Sequence, residues 1–162
     1  MMTLRSLILG GAMLLGAPGL VHAEAPRGEL LLSAIDVPLT AAAIEQVGLT
    51  EAVTLQVLHD LQRPRYARLR AASALPFFGT DTALAALTAR ATEDTDPEVR
   101  LQAVTSLVWG AEAQEARRAP QWLGALDTLE RRADLPTYVR AHLRTERAAL
   151  AKRTAPALKA PR

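Results

Sequence analysis

The sequence holds no cysteine in its 162 residues. That excludes disulfide staples, thiolate metal ligands and a lipoprotein-type signal. Aromatic residues make up only 4% of the chain, and runs of β-branched residues are absent. Strands therefore have little to be made from, and the dominance of Ala and Leu is a helical composition. Lysine is confined to Lys152 and Lys159, so the basic residues are otherwise arginines. Their distribution is uneven. Glu24–Val139 carries 11 basic and 16 acidic residues, a net −5, whereas Arg140–Arg162 carries 7 and 1, a net +6. The high isoelectric point belongs to the C-terminal end, and nucleic acid is not expected as a partner of the acidic remainder.

Only one long apolar run exists, Ser6–Val21, preceded by Arg5 and followed by Val21-His22-Ala23. This is the pattern of a signal segment with a peptidase site. The run is broken by Gly16, Pro18 and Gly19, and is short for a membrane span of about 20 residues. Residues 1–23 are thus expected to be cleaved after Ala23, leaving an exported protein, periplasmic or secreted, without a stable membrane anchor. The other 139 residues suffice to bury a core.

Catalytic groupings are missing as well. Ser33, Ser73 and Ser106 lie in no nucleophile elbow. His59 and His142 are far apart, and neither has a second ligand four residues on. His59 beside Asp60 lacks a nucleophile to serve, and reads as a surface histidine near a helix end. Glu112 and Glu115 share a helix face with nothing to shield them from water. The glycines beyond the leader stand singly at breaks and cradle no phosphate. No catalytic residue, metal or cofactor is expected.

What is present is regular punctuation. Thr40–Val47 reads as a short helix ended by Gly48, and Thr50 caps another running to about Arg63. Pro64 opens a third, which ends around Pro76 to Gly79; Thr80 and Asp81 start a fourth, to about Glu93. Asp96 and Pro97 start a fifth that should stop at Gly110. A charged insert, Ala111–Ala119, precedes a helix from Pro120 to about Ala133, and Pro136 opens the last, reaching about Arg153. Residues 154–162, rich in Pro, Ala and Lys, are expected to form a disordered tail.

These pieces repeat. RLRAASAL, Arg68–Leu75, matches RLQAVTSL, Arg100–Leu107, at an offset of 32, and Leu55 and Leu87 keep the same offset. A looser third copy pairs PRYAR, Pro64–Arg68, with PTYVR, Pro136–Arg140. DTDPEVR, Asp94–Arg100, and DLPTYVR, Asp134–Arg140, both place an Asp six residues before the Arg. Two helices per period of about 32 residues mark an α-solenoid. The pattern Asp-x-x-Pro-x-Val-Arg-x-x-Ala-x-x-x-Leu resembles the second helix of a HEAT repeat, in the short form found in phycobilin-lyase-like proteins.

The resemblance implies an all-α solenoid of about three helical hairpins, a right-handed superhelix of antiparallel pairs over residues 50–153, behind an N-terminal segment, residues 24–49, with a short helix. It also implies a structural ladder: Arg68, Arg100 and Arg140 reaching back to the turn residues Asp94 and Asp134 or to neighbouring carbonyls. Asp60 stands eight residues before Arg68 rather than six, which breaks the pattern in the first unit. Arg90 recurs in no unit and reads as an ordinary surface residue.

A protein partner is the expected ligand of such a stack. Arg70, Gln102 and His142 occupy equivalent places and would form a polar row along one face. Trp109 and Trp122, flanking the insert, either anchor a partner or plug the gap where the repeat is interrupted. The resulting expectation is a scaffold without catalytic activity. An enzyme or accessory subunit of the phycobilin-lyase kind is the alternative.

Overall fold

The computed structural model describes residues 27–114 and 117–154. The expected signal segment, residues 1–23, Glu115 of the carboxylate pair and the tail beyond Thr154 lie outside the described residues. Among these there are eight α-helices and no strand: α1 (Arg27–Ser33), α2 (Ala41–Val47), α3 (Glu51–His59), α4 (Arg65–Ala74), α5 (Asp81–Glu93), α6 (Pro97–Ala113), α7 (Ala119–Arg131) and α8 (Thr137–Thr154). A single 3-10 turn, Leu75–Phe77, follows α4. The fold is all-α.

The starts of α2, α3, α5 and α6 fall where hydroxyl or carboxylate caps stand. Thr40, Thr50 and Thr80 accept from the amides of Ala43, Val53 and Ala83 at 3.0–3.3 Å. Asp96 accepts from the Glu98 amide at 2.9 Å, with Pro97 in the first turn. Burial pushes the Asp96 carboxyl up, but that amide and the Arg65 guanidinium outweigh it and hold the group below the usual carboxylate range.

Two ends differ from expectation. α3 stops at His59 rather than near Arg63, because Asp60 turns its carboxylate onto the Gln62 amide at 2.9 Å and closes the helix. α6 runs through Gly110 to Ala113. There the glycine is not a stop but a site of close packing, since a Cβ on it would overlap the Trp122 ring. An additional helix, α1, precedes the expected one. It packs on α3 and α4, and Gly28 lets it approach closely: a Cβ there would lie 2.7 Å from the Leu49 Cα.

Each hairpin brings consecutive helices together, α3 with α4 and α5 with α6, while α4, α6 and α8 lie side by side in one layer. α7 leans more on α6 than on α8, and α6 is the hub of the contacts. The core is mostly aliphatic. Leu58, Leu75, Leu87, Leu107, Leu126 and Leu143 are fully enclosed, each contributing about 1.5–3 kcal/mol by leaving water.

Candidate partner-binding face

The repeated arginines decide which faces of the second helices remain for a ligand. Arg68 and Asp94 form a buried ion pair, and the Arg68 Nε donates to the Leu58 carbonyl at 3.4 Å. Asp94 is wholly enclosed; it also receives Arg90 at 3.4 Å and accepts from the Asp96 amide at 2.9 Å. Arg68 therefore grips the turn Asp of the following hairpin, not Asp60 of its own. The Arg100 Nε donates to the Asp94 carbonyl. Arg140 donates to the carbonyls of Glu130, Arg132 and Leu135 at 3.2, 2.7 and 3.4 Å. All three arginines thus serve turns, but Asp134 must be removed from the ladder. Its side chain is 68% exposed and held by Arg132 at 2.6–3.0 Å, because Arg140 reaches past it to carbonyls. Arg90 is not the plain surface residue expected: besides touching Asp94, its Nε is enclosed without a hydrogen-bond partner.

The three residues of the expected polar row stand in different surroundings. Arg70 is occupied: it donates to the Leu31 carbonyl at 3.2 Å, the Val37 carbonyl at 2.6 Å and the Tyr66 hydroxyl at 3.4 Å. Its guanidinium lies 5.7 Å over the Tyr66 ring. Arg70 shares the last-turn Leu31 carbonyl of the unforeseen α1 with the Ala34 amide, and it also ties down the loop after α1 at Val37. It is a staple, not a contact for a ligand. Thr105 touches the surroundings of both others: it meets His142 and lines one hollow with Gln102. His142 Nε2 meets the Thr105 hydroxyl at 2.8 Å, with Glu146 at 3.8 Å. Gln102, bonded to Ser106 at 3.3 Å, lines a hollow of about 200 Å³ with Ser73, Thr105, Ser106 and Trp109.

The two tryptophans part company. Trp122 is 1% exposed and sits over Gly110 in the core, so it fills the gap left by the insert and cannot meet a partner. Trp109 is 37% exposed, with its ring centroid 4.6 Å from that of Phe77 and the rings inclined at 58°. The same ring borders a cleft of about 490 Å³ walled by Pro76, Phe77, Phe78 and Gln114, with Arg117 and Arg118. Gln114 donates to the Pro76 carbonyl at 3.0 Å, and Arg118 donates to that of Gly79, whose φ of 61° turns the chain there. These bonds fix the insert against the end of α4. The sequence pattern did not single out Phe77, although it stands 32 residues before Trp109, the offset of the repeat itself.

Glu112 is taken by Arg153 at 2.9–3.0 Å. Burial, and then the Arg90 charge, hold His59 below its ordinary value. Among the described residues no three His, Asp or Glu side chains gather to hold a metal ion, and no helix is long and apolar enough to cross a membrane. Compared with family models, curated proteins and solved structures, the chain matches none.

Proposed function

We propose that this chain is an exported, HEAT-like solenoid of about three hairpins that holds another protein on its second-helix face without catalysing a reaction. One observation carries the reading: the Trp109–Phe77 pair, an aromatic surface kept open to solvent beside a cleft in a chain with few aromatic residues. Large aromatics at an open cleft are the side chains from which binding hot spots are built. Gln102, Thr105 and His142 continue the face with hydrogen-bonding groups, which suits an extended peptide segment more than a compact one.

Capture from the periplasmic fraction, with identification of the bound protein, tests this. Trp109→Ala is expected to lose the captured protein at nearly unchanged melting temperature, a hot-spot loss of about 2 kcal/mol or more. Unchanged capture removes the cleft from the site. The export half of the reading is checked by N-terminal sequencing: the exported chain should begin at Glu24, and a start at Met1 or Met2 overturns it.

A further inference from the structure

Trp109 stands between two concavities and walls both. On one side is the hollow of about 200 Å³ that α4 and α6 form with Ser73, Gln102, Thr105 and Ser106. On the other is the cleft of about 490 Å³, where Phe77, Ala113, Gln114 and Arg118 stand. Their order follows α6: Thr105 precedes Trp109 and Ala113 follows it, four residues away in each direction. Thr105 and Ala113 are thus about 12 Å apart along the helix axis, at about 1.5 Å per residue. An extended chain turns alternate side chains to one face and rises about 3.3 Å per residue, so its residues i and i+4 are about 13 Å apart. One short strand laid along α6 therefore offers one side chain to the hollow, one to the Trp109 ring and one to the cleft.

Each position has its own chemistry. In the hollow, Ser73 donates to the Leu69 carbonyl at 3.0 Å, Gln102 donates to the Ser106 hydroxyl at 3.3 Å, and Thr105 pairs with His142 at 2.8 Å. These polar groups are bound to the chain itself, so an aliphatic side chain suits this end and gains by leaving water. In the middle, the Trp109 and Phe77 rings present an apolar surface. At the far end Arg118 spends an N–H on the Gly79 carbonyl, a neutral acceptor that leaves the positive charge in place. A carboxylate complements that charge and makes a charge-assisted bond. We propose that the partner docks through an extended segment with an aliphatic side chain in the hollow, a second apolar one on Trp109 and a Glu or Asp beside Arg118, at successive alternate positions. The inference rests on the reading of this cleft as a docking site, and adds the chemistry of what docks.

The test titrates the full chain, by calorimetry, with end-blocked peptides containing Leu-Thr-Val-Thr-Glu or the reverse order, Glu-Thr-Val-Thr-Leu. One of the two is expected to bind with a Kd below about 1 mM. Replacing its Glu by Gln should weaken binding about tenfold at about 0.1 M salt, and the difference should shrink towards 1 M. Replacing its Leu by Ser should weaken binding about tenfold at either salt concentration. Deleting the Thr beside Glu turns the carboxylate to the other face, and should cost as much as Gln does. Arg118→Gln is expected to erase the difference between the Glu and Gln peptides. Arg118 also braces Gly79, so its variant is compared by melting temperature, and the peptide substitutions on the wild-type protein decide the matter without it. Binding of neither order, equal affinity of the Glu and Gln peptides, or binding unchanged in Trp109→Ala overturns the proposal. If Trp109→Ala loses the captured protein while neither peptide binds, the docking reading stands and this inference alone falls.

Discussion

Arg68 and Arg100 occupy the same place in two repeats, yet the structure makes them unequal. Arg68 is enclosed and answers the charge of a fully buried Asp94, whereas Arg100 serves only a carbonyl. Truncating Arg68 leaves Asp94 with Arg90 at 3.4 Å as its remaining cation. Breaking a buried pair in this way costs about 3–5 kcal/mol. Losing the charge-assisted bond of Arg100 costs about 1.5–3 kcal/mol. Urea midpoints are expected to fall in the order Arg144→Ala, Arg100→Ala, Arg68→Ala, with Arg144, 66% exposed, close to wild type. A shift for Arg100 as large as that for Arg68 would show that the carboxylate rung adds nothing. His59 offers a pH test. Its folded value lies below 6.5 through burial and Arg90, so the unfolded chain takes up the proton first as pH falls. Stability is then full above about pH 6.5 and declines below it. In a pH series of urea melts, His59→Gln should lose that part of the slope and match wild type at pH 8. The sequence could show that an arginine recurs, but not which oxygen it meets. Asp94 and Asp134 look alike in spacing, and only packing separates the buried one from the one in water.

Helix starts were legible because capping is local: a side chain answers an amide two or three residues on. Helix ends were less so. Gly48 ended α2 as read, with φ of 64°, but Gly110 did not end α6, because its reason lies across the interface in Trp122. The same distinction gives opposite signs to two similar substitutions. Gly110→Ala places a methyl group in the Trp122 ring and should cost about 1–3 kcal/mol through overpacking. Gly124, in the middle of α7, has nothing within 4 Å of an added Cβ. Gly124→Ala should therefore stabilise by about 0.4–1 kcal/mol, since it restricts the unfolded chain at no steric cost. Thermal melts of the two proteins decide it, and a gain from Gly110→Ala would mean that the α6–α7 contact can open freely.

The offset of 32 put α4 and α6 in equivalent places, and the two helices do pack on each other, each burying its stripe against its neighbours. It gave no warning of α1, which belongs to no repeat, and so the fixing of Arg70 was invisible. Phe77 was within reach of the same offset, but lies in a 3-10 turn that looks like a helix end. These contacts bear on how the chain unfolds. A stack whose units touch only their neighbours tends towards independent unfolding of its ends. Here several ties join helices and turns far apart in sequence: Arg68 to Asp94, Arg65 to Asp96 at 2.7 Å, Thr80 to Glu51, and Arg153 to Glu112. α6, which also touches α4, α5, α7 and α8, joins both ends. The expected behaviour is one cooperative transition. Leu107, enclosed in the middle of α6, is the place to challenge it: Leu107→Ala should cost about 2–5 kcal/mol. Circular dichroism follows every helix, whereas Trp fluorescence follows the α6–α7 region alone. Coincident urea transitions by both signals, shifted equally in the variant with the slope unchanged, are the expected result. If fluorescence moves while part of the helical signal stays at its original midpoint, the first helices fold apart from α6, and these long-range ties do not couple the chain.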